Sequence, residues 1–196
     1  TQTERDFIFN IPGSACGCFN ARLIDVTLLS QCNHFHIMGS SLFSFRMIEA
    51  MHKVIEIVKQ NNGTVSFDPN IRKEMLNIPE MEQAFDFILE YTDIFLPSES
   101  EVAHFSSRKN QSESSVIQEL LNNGIAHVVV KRGPQGASHY QMTAGSLNEL
   151  HVKGTGCEMI DPTGAGDCFG ATFVSLLLAG YPIHQALEFA NARGAI

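Results

Sequence analysis

The sequence predicts a doubly wound α/β fold, a mostly parallel sheet with helices on both faces, in a single domain over residues 1–196. Three observations carry this expectation. Strand-like and helix-like apolar periodicities alternate along most of the chain, with no low-complexity linker or internal repeat between them. Ala126-His-Val-Val-Val130 is a nearly unbroken apolar run, the pattern of a strand buried on both faces. Polar, turn-rich segments follow the strand-like ones, at the end of the sheet where such folds gather ligands.

Each element has its own signal. Asp6-Phe-Ile-Phe-Asn10 is strand-like, and His34-Phe-His-Ile-Met38 reads as a strand with both imidazoles on one face. From Ser44 to Gln60, Met47, Ile48, Met51, Val54, Ile55 and Val58 recur at helical spacing, and Asn61-Asn62-Gly63 stops the helix. Thr64 to Phe67 resumes as a strand, Met81 to Tyr91 as a helix, and Asp93 to Leu96 as a strand. Ser112 to Asn122 is a further helix, ended by Gly124 before the strand at Ala126. The last long apolar helix opens after Asp167 and runs to about Ala179. Asp68-Pro-Asn-Ile-Arg72, Pro97-Ser-Glu-Ser-Glu101 and Lys131-Arg-Gly-Pro-Gln-Gly136 each follow a strand, so they are expected to meet at one rim.

Composition narrows the function classes. Thirteen Lys plus Arg against 21 Asp plus Glu give a net charge of −8, which leaves no general basic surface for nucleic acid. The densest apolar run, Ala171 to Ala179, is less than half of the ~20 residues of a membrane span. Five cysteines without a Cys-x-x-Cys pair or secretory leader fit a reduced cytoplasm. Cys16-Gly-Cys18 has no second pair to complete a tetrahedral metal site, and His34 with His36 lacks a third ligand. The cysteines read as packed thiols, and the histidines as structural or surface residues.

Asp161-Pro-Thr-Gly-Ala-Gly-Asp167 carries the chemistry. Its small residues open a helix N-terminus, where first-turn N–H groups lack intrahelical partners and the macrodipole favours an anion. Gly164 and Gly166 let a phosphoryl group approach the backbone closely. No Gly-Lys-Ser/Thr follows, so this is not a Walker A loop, nor is it a Gly-x-Gly-x-x-Gly dinucleotide loop. The alternative is a tight loop with Asp167 as a capping residue.

A carboxylate at each end of Pro-Thr-Gly-Ala-Gly resembles the signature of the PfkB, or ribokinase-like, family of carbohydrate kinases. That resemblance implies that Gly164, Ala165 and Gly166 form an anion hole for the transferred phosphoryl group and that Asp167 is the base facing a sugar hydroxyl. A carboxylate is a weak base for an alcohol, so its implied task is to orient the hydroxyl and take its proton late. Asp161 is linked by resemblance to a monovalent cation such as K+, or else it braces the loop. Asp68-x-Asn70-x-Arg72 is similar to the family's substrate and phosphate segment, and Arg72 offers a planar bidentate donor. Glu101 matches a carboxylate associated with Mg2+ and phosphates, although Ser98 stands where the family has Asn. Lys131, Gly133 and Gly136 match a turn beside the ATP, with Lys131 suited to phosphate oxygens; an ordinary hairpin is the alternative for the glycines. Asn191 falls where the family has a residue facing adenine.

Within the family, Asn70, Arg72, the Val128 to Gly136 turn and Phe35 to Gly39 look most like the 2-keto-3-deoxygluconate, fructose and tagatose kinase branch. A ketose or keto-sugar acid is therefore the expected substrate, with a ribokinase-type pentose or nucleoside as runner-up and a non-catalytic sugar or nucleotide sensor as the alternative from another class. The resemblance further implies a homodimer in the full-length protein. The chain begins at Thr1 and its family's sugar-selecting Gly-Gly segment, lid and first strands are not found, so it reads as roughly two-thirds of a member. An isolated chain of this length is expected to expose a sheet edge and to be a poor catalyst.

Overall fold

Six strands form one sheet in chain order among the described residues, which in this computed structural model are 13–72, 79–156 and 161–195. The strand-like segment at 6–10 and Cys157 lie outside them. The strands are β1 (His34–Met38), β2 (Thr64–Asp68), β3 (Ile94–Phe95), β4 (His127–Lys131), β5 (Ala137–Thr143) and β6 (Ser146–Val152). β1 to β4 run parallel, whereas β4-β5-β6 is an antiparallel extension. The helices are α1 (Ala15–Cys18), α2 (Val26–Leu29), α3 (Phe45–Gln60), α4 (Pro79–Glu90), α5 (Glu99–Lys109), α6 (Glu113–Asn122), α7 (Ala165–Leu178) and α8 (Ile183–Gly194).

Side-chain alternation along the strands sends residues into two cores, one on each face. Val128 and Val130 join Phe67, Phe95, Ile55, Phe85, Phe105 and Ile117 on the face covered by α3 to α6. Val129 points the other way, with Leu96, Phe169, Phe173 and Leu187, under α7 and α8. This is why the β4 sequence shows no polar alternation. Phe67 packs on Phe85 and Phe95 at centroid distances of 5.7 and 5.9 Å. Each such buried ring contributes roughly 1.5–3 kcal/mol relative to exposure.

Local chemistry sets the helix starts. Ser44, Ser98 and Ser112 each accept an N–H from the first turn of α3, α5 and α6, so the expected starts at 44 and 112 are capping residues one position outside the helix. The expected strand at 93–96 has only Ile94 and Phe95 in the ladder, although Asp93 N–H and Leu96 N–H both donate to β2 carbonyls. Among the described residues no helix is long and apolar enough to cross a membrane.

Candidate active site

The three strand-following segments converge at the carboxyl end of the parallel strands. The buried Asp68 carboxylate, at the end of β2, is ion-paired with Lys131 at the end of β4. Glu101 Oε1 accepts the Ile71 N–H at 2.7 Å, and the Lys131 N–H donates to the Pro97 carbonyl at 2.8 Å. Two carboxylates and one backbone bond thus hold the loops after β2, β3 and β4 together.

The N-terminus of α7 meets this rim. Gly164 initiates the helix with φ +82, a conformation that side chains seldom adopt, and no side chain caps the helix. A Cβ added to Gly166 would meet only the Lys131 Nζ, 3.8 Å away. Packing therefore does not demand a small residue at 166; what glycine leaves there is open space bounded by a helix N-terminus and an ammonium group. Asp167 is exposed in the same first turn. An oxyanion placed there would meet backbone N–H groups, the positive end of the helix and one cation.

The remaining expected residues are spread around this centre. Asn70 has φ +39; its N–H donates to Asp68 Oδ1 at 3.2 Å and its side-chain amide to Ser40 Oγ at 3.3 Å, while Arg72 is half-buried at the end of the same loop. Glu101 Oε2 accepts from the backbone and hydroxyl of Ser98 in a capping box, so both of its oxygens already have donors. Asp161 Oδ1 accepts the Thr163 N–H at 2.9 Å, bracing the loop ahead of α7. Gly136 has φ +97, and a Cβ there would lie 2.1 Å from the Val152 carbonyl oxygen. Its glycine is dictated by the hairpin. Asn191 is buried, and its amide donates to the carbonyls of Val152 and Lys153 at 3.1 and 3.2 Å, tying α8 to the end of β6. A Cβ added to Gly133, at φ +55, would meet nothing within 4 Å.

Several contributors were missed by sequence reasoning. Within the segment from Asp68 to Arg72, Asp68 carries no expectation of its own, although a carboxylate closing a strand ahead of Pro-Asn is a signal in itself. Arg132 turns away from the site and binds Glu99, Glu113, Ser138 and Tyr140, clamping the β4–β5 turn to α5 and α6. On β1, His36 Nδ1 and His34 Nε2 both bond Ser66 Oγ, at 2.7 and 2.8 Å. The His36 pKa is lowered, first by desolvation, then by His34 and Lys131, with Asp167 opposing. The imidazole therefore sits within electrostatic reach of the site. The pair of β1 histidines shares one face, as expected.

The match to the pfkB family carbohydrate kinases spans residues 1–196. The chain belongs to that family. This pfkB chain is 28% identical over 98% of its length to the probable fructokinase-6, chloroplastic, of Arabidopsis thaliana, covering 51% of that protein. It is 27% identical over 99% of its length to a 5-dehydro-2-deoxygluconokinase of Clostridium beijerinckii, covering 58% of it. A candidate ribokinase II from E. coli, solved in complex with ATP and Mg2+, is 51% identical with a TM-score of 0.90, over 98% of this chain and 60% of that one. The pfkB chain thus spans between half and two-thirds of the proteins it matches.

The donor set suits a nucleoside triphosphate with Mg2+. Backbone N–H groups at the start of α7 and the Lys131 ammonium are the kind of donors that phosphate oxygens require. Among the described residues no cluster of three or more His, Cys, Asp or Glu could hold a metal ion. Mg2+ commonly rides on substrate phosphates with few protein ligands. Nothing in this donor set calls for K+; the observed use of Asp161 is the bracing one.

Proposed function

We propose that the full-length protein carrying this chain transfers the γ-phosphoryl group of ATP to a hydroxyl of a ketose or keto-sugar acid. The observation that carries the reading is the α7 N-terminus, which no side chain caps, with Gly166 facing the Lys131 ammonium and Asp167 in the same turn. Phosphoryl transfer through a loose transition state asks little covalent chemistry of the protein and much positioning and charge stabilisation. Gly164 and Gly166 present backbone N–H groups to the developing charge, while the Ala165 N–H between them donates to the Pro162 carbonyl at 3.2 Å and shapes the loop that carries them. Lys131 adds a cation to the same oxygens. Asp167 orients the acceptor hydroxyl and takes its proton late. Asn70 and Arg72 address the substrate, and the Arg72 guanidinium suits the carboxylate of a sugar acid. Gly133, Gly136 and Asn191 shape the nucleotide side, Asn191 by fixing the end of β6 against α8. When bound, Mg2+ would supply charge neutralisation on the phosphates, and Glu101, whose two oxygens brace the loops after β2 and β3, would hold it only indirectly, through the phosphates or water.

The fructokinase and dehydro-deoxygluconokinase relatives support the keto-sugar branch, whereas the more identical E. coli structure, described as a candidate ribokinase, favours a pentose. A panel settles between them: ADP release by the full-length protein with fructose, tagatose, 2-keto-3-deoxygluconate, 5-dehydro-2-deoxygluconate and ribose. Turnover with a keto-sugar well above that with ribose is expected. Ribose as the best substrate overturns the substrate class, and Mg-ATP binding without turnover on any sugar overturns the kinase in favour of a sensor. Light scattering of the same protein tests the proposed homodimer.

A further inference from the structure

Asp68 is an odd residue to find where it is. It is 2% exposed, and burial is the largest influence on its carboxyl group, raising the pKa, with Lys131 pulling it back. Burying an ion pair costs desolvation that the mutual attraction seldom exceeds, so the pair needs a reason beyond stability. Its partner supplies one. Lys131 Nζ lies 3.8 Å from the position of a Cβ on Gly166, beside the N-terminus of α7. An ammonium group and the positive end of a helix repel each other. Without a counter-ion, nothing on β2 would hold the Lys131 ammonium in one position before a phosphate arrives.

The same carboxylate has a second bond. Oδ1 accepts the Asn70 N–H, at the start of the loop that ends in Arg72. One buried group therefore aligns the phosphate cation on β4 with the substrate loop after β2.

We propose that Asp68 is a positioning residue: it is the counter-ion that holds the Lys131 ammonium against the first turn of α7, and it yields part of that ammonium when phosphoryl oxygens arrive. The inference rests on the kinase reading above. An ammonium group has three donors, so it can keep one bond to Asp68 while offering others to an anion. The carboxylate then acts in two opposing ways. It competes with phosphate for Lys131, which weakens ATP binding, and it keeps Lys131 in register with Asp167, which favours transfer.

Asp68→Asn tests this, since the amide oxygen can still accept the Asn70 N–H while the charge is gone. In the full-length protein, kcat is expected to fall by about tenfold or more, while Mg-ATP binding by calorimetry tightens roughly threefold. In a Lys131→Met background, Asp68→Asn is expected to change neither. A purely structural carboxylate would instead weaken binding and act equally in both backgrounds; either result overturns the proposal, as does a kcat within twofold of wild type. Wild-type protein that binds Mg-ATP yet releases no ADP overturns the kinase reading alone, and the binding cycle then still decides Asp68. Wild-type protein that binds no Mg-ATP overturns both.

Discussion

At the scale of single residues, the proposed kinase site separates groups that would face a ligand from groups that hold those groups in place. Asp167 is exposed in the first turn of α7 and belongs to the first kind; Glu101 and Asn191, buried and bonded to backbone, belong to the second. The distinction predicts different variant behaviour. Asp167→Asn keeps the shape and removes the proton acceptor, so kcat of the full-length protein is expected to fall by about 10²–10⁴, the range for a lost general base, with Mg-ATP affinity and melting temperature unchanged. Single-turnover kinetics with calorimetry check it, and near-normal turnover removes Asp167 from the mechanism. Glu101→Gln should behave otherwise. Its Oε1 bond to Ile71 and its capping box at Ser98 join two loops, so a loss of about 1–2 kcal/mol in stability, read by urea unfolding, is expected alongside any kinetic effect.

At the scale of elements, the β4–β5 turn shows what the sequence revealed and what it hid. The alternating strands and helices through β4 were legible because parallel strands buried on two faces are apolar throughout and their crossover helices carry clean stripes. The α7 motif was legible because its glycines and carboxylates are adjacent in sequence. The β5–β6 hairpin was not. β6 is largely exposed, and its residues Ser-Leu-Asn-Glu-Leu-His-Val show little period-two contrast; the available signal was Ala144-Gly145, both at positive φ, the mark of a tight hairpin turn. The Asp68–Lys131 pair was hidden for another reason, since its members are 63 residues apart and meet only once β2 and β4 flank β3. Gly136 illustrates the cost of the turn. A Cβ at φ +97, 2.1 Å from the Val152 carbonyl oxygen and 2.4 Å from the Gly154 nitrogen, forces the hairpin open. Gly136→Ala is therefore expected to destabilise the protein by about 2 kcal/mol or more, whereas Gly133→Ala, strained in φ but sterically open, costs less. Thermal melts of the two variants side by side check the order, and equal melting temperatures refute it.

At the scale of the whole molecule, the second core hides a pair of imidazoles whose charge state couples folding to pH. His127 Nδ1 and His139 Nε2 bond each other at 2.9 Å between β4 and β5, and His139 packs near Phe173 of α7. Burial, and secondarily His127, push the His139 pKa down to about 4; burial also lowers His127. A histidine that is held neutral in the fold but takes a proton when unfolded gives the unfolded state the larger proton count between the two pKa values. Stability from this group is therefore complete above the unfolded value of about 6.5 and is lost as pH falls toward 4. Asp68, whose pKa is raised, acts in the opposite sense at the acid end of that window. Between pH 7 and about pH 5, His139 alone removes about 2 kcal/mol, which lowers the melting temperature by roughly 4–8 °C in a domain of this size. His139→Gln cannot take up the proton, so its melting temperature should start lower at pH 7 and fall less steeply. A wild-type melting temperature that is flat across this range, or an identical slope in the variant, means that the acid response of the fold comes from elsewhere than the buried pair beneath α7.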